Sequence, residues 1–227
     1  MMMHVPEVLD RATLSRARGI VDKAQWVDGK ATAGTQSELV KNNRQLAEES
    51  EAAKQARAIV LEALGKSALF FTAALPKKIF PPLFNRYEGA NNAFGNHIDN
   101  AVRTLRGTNL HVRTDISATL FLSDPEDYDG GELVVEDTYG THSVKLPAGD
   151  LILYPSSSVH RVQPVTRGAR IASFFWIESM VRENERRRLL FDLDLSVLAL
   201  RQTQGDTVPV VRLTGCYHNL MRMWADL

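Results

Sequence analysis

The stretch FGNHIDNAVR, residues 94–103, sets His97 and Asp99 two positions apart. In a strand, residues i and i+2 project from the same face, so both side chains reach one point while Ile98 packs behind them. An imidazole and a carboxylate converging in this way are two ligands of a divalent metal, and a third is required. The other histidines are His4, His111, His142, His160 and His218. His160 is the best placed, because it opens the strand-like run VHRVQPV late in the same β-rich region. Ten residues later Arg170 stands second in ARIASFFWI, an otherwise apolar run. An arginine aimed into an apolar interior needs an anion, and its planar fork suits a carboxylate held through two hydrogen bonds.

The elements that must position these groups follow from periodicity. Leu14, Ala17, Val21 and Ala24 keep helical spacing behind the candidate caps Asp10 and Thr13, which predicts a first helix. Residues 27–36, VDGKATAGTQ, break that period, and Ala53, Ala56, Val60 and Leu64 then form one stripe of a longer helix over 46–67. From Phe84 to about Ile177 short alternating runs are separated by Gly, Asp and Pro clusters, the pattern of a sandwich or small barrel of the jelly-roll kind. Gly130 and Gly131 read as a tight hairpin turn into ELVVE. After Glu178 a leucine-rich helix over 181–202 and a helical tail, GCYHNLMRMWADL, close the chain. The expected architecture is α+β with a mostly β core. A helical region (1–77) and a second one (179–227) flank a jelly roll (78–178) of the double-stranded β-helix type.

Composition narrows the partners. Lys plus Arg and Asp plus Glu both total 27, so no global field favours nucleic acid or an anionic membrane. NERRR, 184–188, reads as a solvated helix face, since no interleaved aromatics accompany it. Cys216 is the single cysteine, which rules out an intramolecular disulfide. The opening MMMHVPEVLDRAT lacks a basic segment followed by an apolar run, and no apolar stretch approaches the roughly 18 residues of a spanning helix. A cytoplasmic location is the expectation. The dense leucines of 181–202 suggest a homo-oligomer.

Two histidines and one carboxylate on one face of an octahedron form the triad of non-haem Fe(II) oxygenases, with three positions open for cosubstrate and oxygen. The distal carboxylate of 2-oxoglutarate would be the anion for Arg170. The segments FNRYEGANNAFGNHIDNAVR and RTDISATLFLSDPEDYDGGELVVEDTYGTHSVKLPAGDLILYPSSSVHRVQPVTRGARIASFFWIESMVRE resemble the Fe(II)- and 2-oxoglutarate-dependent dioxygenases. Within them the likeness is to the bacterial PKHD-type hydroxylases related to prolyl hydroxylases. The resemblance implies iron on His97, Asp99 and His160, 2-oxoglutarate on Arg170 and also on Tyr87, and ascorbate as a further cofactor. It implies oxidative decarboxylation to succinate and carbon dioxide, coupled to hydroxylation of a prime substrate. Phe94 stands where prolyl hydroxylases carry a tyrosine, so that phenol's hydrogen bond is missing. The substrate stays open between an amino acid, a protein side chain and a siderophore-like molecule, and the family's association with iron acquisition favours the last. A jelly roll that binds a metal or small molecule without turnover and a zinc hydrolase on the same three ligands are the competing readings.

Overall fold

The computed structural model describes residues 1–32, 39–105 and 107–227. Its helices begin where the sequence supplies caps. The Asp10 carboxylate accepts the Thr13 amide at 2.7 Å and starts α1 (Arg11–Val21). Ser50 accepts the Ala53 amide and starts α2 (Glu51–Lys66), so the second helix opens five residues later than periodicity suggested. Leu46 instead ends a short strand. Ser67 both closes α2 and caps α3 (Ala68–Ala74), a helix that the sequence reading did not separate. In the expected break over 27–36, Trp26–Asp28 is a strand and Gly29–Thr32 a turn of 3₁₀ helix; residues 33–36 lie outside the described ones.

The strands build two main antiparallel sheets. The larger runs β1 (Met3–Val5), β14 (Leu151–Pro155), β10 (Ile116–Phe121), β17 (Arg170–Ser179), β6 (Leu83–Tyr87), β4 (Arg44–Leu46), β2 (Trp26–Asp28), with β5 (Pro76–Ile79) also on β17. The smaller runs β13 (Gly140–Val144), β12 (Leu133–Asp137), β15 (His160–Val162), β7 (Ala93–His97), β3 (Lys41–Asn42). Two ribbons complete the β structure, β8 (Val102–Thr104) with β9 (His111–Arg113), and β11 (Tyr128–Gly130) with β16 (Val165–Gly168).

Alternation along β17 decides what each face does. Ile171, Phe175 and Ile177 join Leu120, Leu151 and Leu153 in a core shared with Ala17, Val21, Ala56, Val60 and Leu64 of α1 and α2. Arg170, Phe174 and Trp176 point the other way, into a cleft between the sheets. Helices therefore cover one face of the large sheet while the small sheet covers the other, and the cleft is the gap left between them.

Gly130 and Gly131 do not make a hairpin. Tyr128–Gly130 pairs with Val165–Gly168, while Leu133–Asp137 pairs with Gly140–Val144 and His160–Val162. The two glycines, at φ +71° and +70°, carry the chain from the β11/β16 ribbon into the smaller sheet. A Cβ at Gly130 would stand 2.1 Å from the Pro164 carbonyl oxygen, so close crossing of backbones is what demands glycine there.

The C-terminal helices α4 (Asn184–Gln204) and α5 (Val208–Trp224) fold back on each other around Gly205, whose φ is +68°. Thr72 Oγ1 donates to Asp194 at 2.6 Å, and Leu75, Val181 and Leu190 share a small core that ties this pair to α3. In NERRR, Glu185, Arg186 and Arg188 are exposed as expected, but Arg187 is buried and donates to the carbonyls of Val181 and Arg182 at 2.7 Å each.

Candidate metal and cosubstrate site

His97 is the last residue of β7 and His160 the first of β15, and the ladder sets them directly opposite each other. Their ring centroids are 4.1 Å apart. Asp99 lies two residues past the end of β7, so its position does not follow from strand alternation, and Ile98 is half exposed instead of packing behind the pair. The carboxylate is brought in by Ser117 of β10, whose Oγ donates to Asp99 Oδ2 at 2.6 Å. One ligand atom from each of His97, Asp99 and His160 lies within 4.8 Å of the others. His160 Nε2 to Asp99 Oδ2 is 3.6 Å.

Each imidazole is oriented by the backbone two residues before it. His97 Nδ1 stands 2.8 Å from the Gly95 carbonyl and His160 Nδ1 3.0 Å from that of Ser158. A carbonyl only accepts, so Nδ1 carries the proton and Nε2 keeps its lone pair for a metal. Burial, reinforced by His160, lowers the His97 imidazole to about 4, so it is neutral at pH 7, as a ligand must be. Phe94 stacks on the His97 ring at 3.6 Å, and Tyr154 meets the His160 ring edge-on at 5.1 Å. In place of the phenol missing at position 94, the Phe94 ring offers a face that packs flat against the His97 imidazole.

The cleft runs from this cluster to Arg170. Arg170 is 1% exposed, and its Nε and Nη1 have no hydrogen-bond partner among the described residues. Its guanidinium carbon lies 5.1 Å from the Phe121 ring and 5.4 Å from that of Tyr87. Gly131 leaves room for the stem, since a Cβ there would come within 3.1 Å of Arg170 Cδ. Tyr87 is fully buried, and Asn85 Nδ2 donates to its hydroxyl at 3.5 Å. A buried guanidinium with two unpartnered nitrogens fits a carboxylate, and three convergent N and O donors fit a divalent cation.

The sequence reading missed one wall of the cleft. The chain from β3 to β4 crosses from the small sheet to the large one, and Lys41, Asn43 and Gln45 turn inward, all at least 96% buried. Lys41 Nζ sits 5.5 Å from Phe94 and 5.8 Å from Phe174, and burial, helped by Arg103, lowers it to about 7. The period-two spacing K-x-N-x-Q is the signal that was there to be read, but polar residues at that period do not announce a buried strand.

Fold and cluster together are those of the 2-oxoglutarate–Fe(II) oxygenases. Residues 82–178 match the model described as the 2OG-Fe(II) oxygenase superfamily, and residues 184–226 that of the PKHD-type hydroxylase C-terminal domain. Along all 227 residues the chain is 59% identical to a PKHD-type hydroxylase of Burkholderia lata and 58% identical to one of Methylobacillus flagellatus, with 100% of each chain covered. The chain belongs to the PKHD-type hydroxylase family, and is thereby an oxidoreductase of the 2-oxoglutarate-dependent hydroxylase class, which works with Fe(II). A prolyl-4-hydroxylase of Pseudomonas putida shares the fold at TM-score 0.50 and 20% identity, over 78% of this chain and 92% of that one. The carbocyclase SnoK from nogalamycin biosynthesis does so at TM-score 0.55 and 17% identity, over 79% and 80%. At such identities the likeness is one of fold, and neighbours with such different names show that the fold leaves the substrate open. Among the described residues no helix is long and apolar enough to cross a membrane.

Proposed function

We propose that the facing sheets form a double-stranded β-helix, that His97, Asp99 and His160 hold Fe(II), and that Arg170, with Tyr87 beside it, receives the distal carboxylate of 2-oxoglutarate. The observation that carries this reading is the pairing of a cluster of three ligand atoms within 4.8 Å with a buried guanidinium that has two unpartnered nitrogens in the same cleft. When bound, iron supplies the activation of oxygen that couples decarboxylation of 2-oxoglutarate, to succinate and carbon dioxide, to hydroxylation of a prime substrate. The chain's own residues hold the two imidazoles in the metal-binding tautomer, keep that of His97 neutral and seat the far end of the keto acid. A zinc hydrolase on the same ligands gives Arg170 no task.

A siderophore-like prime substrate is the reading we favour, with a link to iron uptake. It is supported by a cleft lined by Phe174, Trp176, Lys41 and Arg103, whose guanidinium carbon lies 4.3 Å from the Trp176 ring, since aromatic and cationic walls suit a planar anionic molecule. The test is succinate formation from 2-oxoglutarate with Fe(II) under air, first without substrate and then with catecholate and hydroxamate siderophores, amino acids and peptides. Succinate with Fe(II) but not Zn(II) is expected, and stimulation by a siderophore. No succinate under any condition overturns the oxygenase assignment of these residues; stimulation by peptide alone overturns the substrate.

A further inference from the structure

The turn that joins β14 to β15, PSSSV, touches two of the three candidate ligands at once. Ser158 offers its carbonyl to His160 Nδ1 at 3.0 Å. Ser156 Oγ lies 2.7 Å from Ser117 Oγ, which lies 2.6 Å from Asp99 Oδ2. Both serines are buried, at 3% and 2% exposure. An ionised carboxylate only accepts and a serine hydroxyl has one hydrogen, so Ser117 spends its hydrogen on Asp99. The bond between the two serines must then be donated by Ser156. The order of donation, Ser156 to Ser117 to Asp99, is fixed by the carboxylate at its end.

This matters because Asp99 stands outside the ladder. His97 and His160 are placed by strand pairing, whereas a carboxylate two residues past a strand end is free in both backbone and rotamer unless something holds it. We propose that the 155–158 turn is the positioning element of the metal site, setting the carboxylate of Asp99 through Ser156 and Ser117 and the tautomer of His160 through the Ser158 carbonyl. The inference rests on the metal reading of His97, Asp99 and His160 given above. It makes Ser117 and Ser156 positioning residues, acting on the metal through Asp99.

The test uses the full chain, stripped of metal, and three variants: Ser117→Ala, Ser156→Ala and the double. Metal affinity is measured by anaerobic Fe(II) titration, site geometry by the visible absorption of the Co(II)-loaded protein, and fold by melting of the metal-free form. Loss of an outer partner typically weakens metal binding about 10- to 100-fold, which is the expectation for Ser117→Ala, with a shifted Co(II) band and little change in metal-free melting. Ser156→Ala should weaken binding less. In the double variant it should add nothing, because it acts through Ser117. Ser117→Thr, which keeps the hydroxyl, should restore most of the affinity. Unchanged affinity in Ser117→Ala, or penalties that add in full, overturns the relay while leaving the metal site intact. If Ser117→Ala does not fold, Ser156→Ala decides alone, and an unchanged Co(II) band and affinity overturns the proposal. A wild-type chain that binds no Fe(II) overturns the functional reading itself, and the relay with it.

Discussion

Arg170 and Tyr87 face each other as a registered pair across the β17/β6 ladder, both 1% exposed, with the guanidinium carbon 5.4 Å from the phenol ring. An aromatic face offers a cation some compensation, yet it cannot satisfy the N–H groups of a guanidinium out of water. On the proposed reading, a carboxylate supplies the acceptors that the Arg170 Nε and Nη1 lack. Arg170→Ala should leave Fe(II) affinity intact and raise the KM for 2-oxoglutarate at least about 30-fold, since losing a buried charge-assisted pair costs about 2–5 kcal/mol. Arg170→Lys should recover part of that, and Tyr87→Phe should raise the KM by about 2- to 10-fold, the worth of one neutral hydrogen bond. Steady-state succinate assays at varied 2-oxoglutarate check all three, and an unchanged KM in Arg170→Ala would make the guanidinium structural.

His97, Arg170 and His160 were legible because each sits at a strand end whose apolar alternation shows in the sequence, and their order in one β-rich segment narrowed the chemistry. Asp99 was found for a partly mistaken reason. The strand stops at His97, and it is Ser117, eighteen residues past Asp99, that turns the carboxylate towards the two imidazoles. That serine, like Ser156, leaves no pattern, because a buried hydroxyl is a residue type that surfaces also use. Lys41, Asn43 and Gln45 escaped for a related reason: a polar strand segment buried against a cleft has the composition of a loop. Arg187 was read as solvated for want of any sequence sign that its carbonyl partners are local.

Removing a ligand tests the cluster directly. His97→Ala, Asp99→Ala and His160→Ala should each abolish stoichiometric Fe(II) binding and 2-oxoglutarate turnover, with circular dichroism unchanged, because the apolar core against α1 and α2 lies on the other face of the large sheet. Anaerobic titration decides the point. Wild-type affinity in any of the three removes that residue from the site.

Arg187 anchors the start of the C-terminal helices through its bonds to the Val181 and Arg182 carbonyls. Arg187→Met keeps the stem but leaves one buried carbonyl, that of Val181, without this donor. A cost of about 1–3 kcal/mol is expected, and at roughly 2–4 °C per kcal/mol for a chain of this size the Tm should fall by about 2–12 °C. Arg186→Met, at an exposed neighbour, should stay within about 0.5 kcal/mol. Equal melting of the two variants would show that Arg187 contributes no more than a surface residue.

The apolar residues of α4 divide between the subunit and its surroundings. Leu190, Phe191 and Val197 are buried, whereas Leu195 and Leu198, one turn apart, are 39% and 42% exposed. We propose that this exposed pair lies in a homo-oligomer contact. Light scattering at tens of micromolar should give a mass above one subunit, reduced to the monomer's by Leu195→Glu with Leu198→Glu. A wild-type monomer would refute it.

The His97 imidazole gives the metal-free protein a stability that depends on pH. An imidazole ordinarily titrates near 6.5, and burial, then His160, hold this one at about 4 in the folded chain. Between those values the unfolded chain binds a proton that the folded chain refuses, so stability rises with pH across the window and is lost as pH falls from about 6.5 towards 4. Above 6.5 both states are neutral and His97 has no effect. At 1.36 kcal/mol per unit, the shift corresponds to about 3 kcal/mol lost at the acid end. His97→Gln keeps a polar side chain of similar reach without the titration, so urea melts of chelator-treated protein should show wild type losing more stability than His97→Gln between pH 6.5 and 4.5. Parallel curves for the two proteins would mean that the imidazole titrates normally, and that His97 is not held neutral in the folded chain.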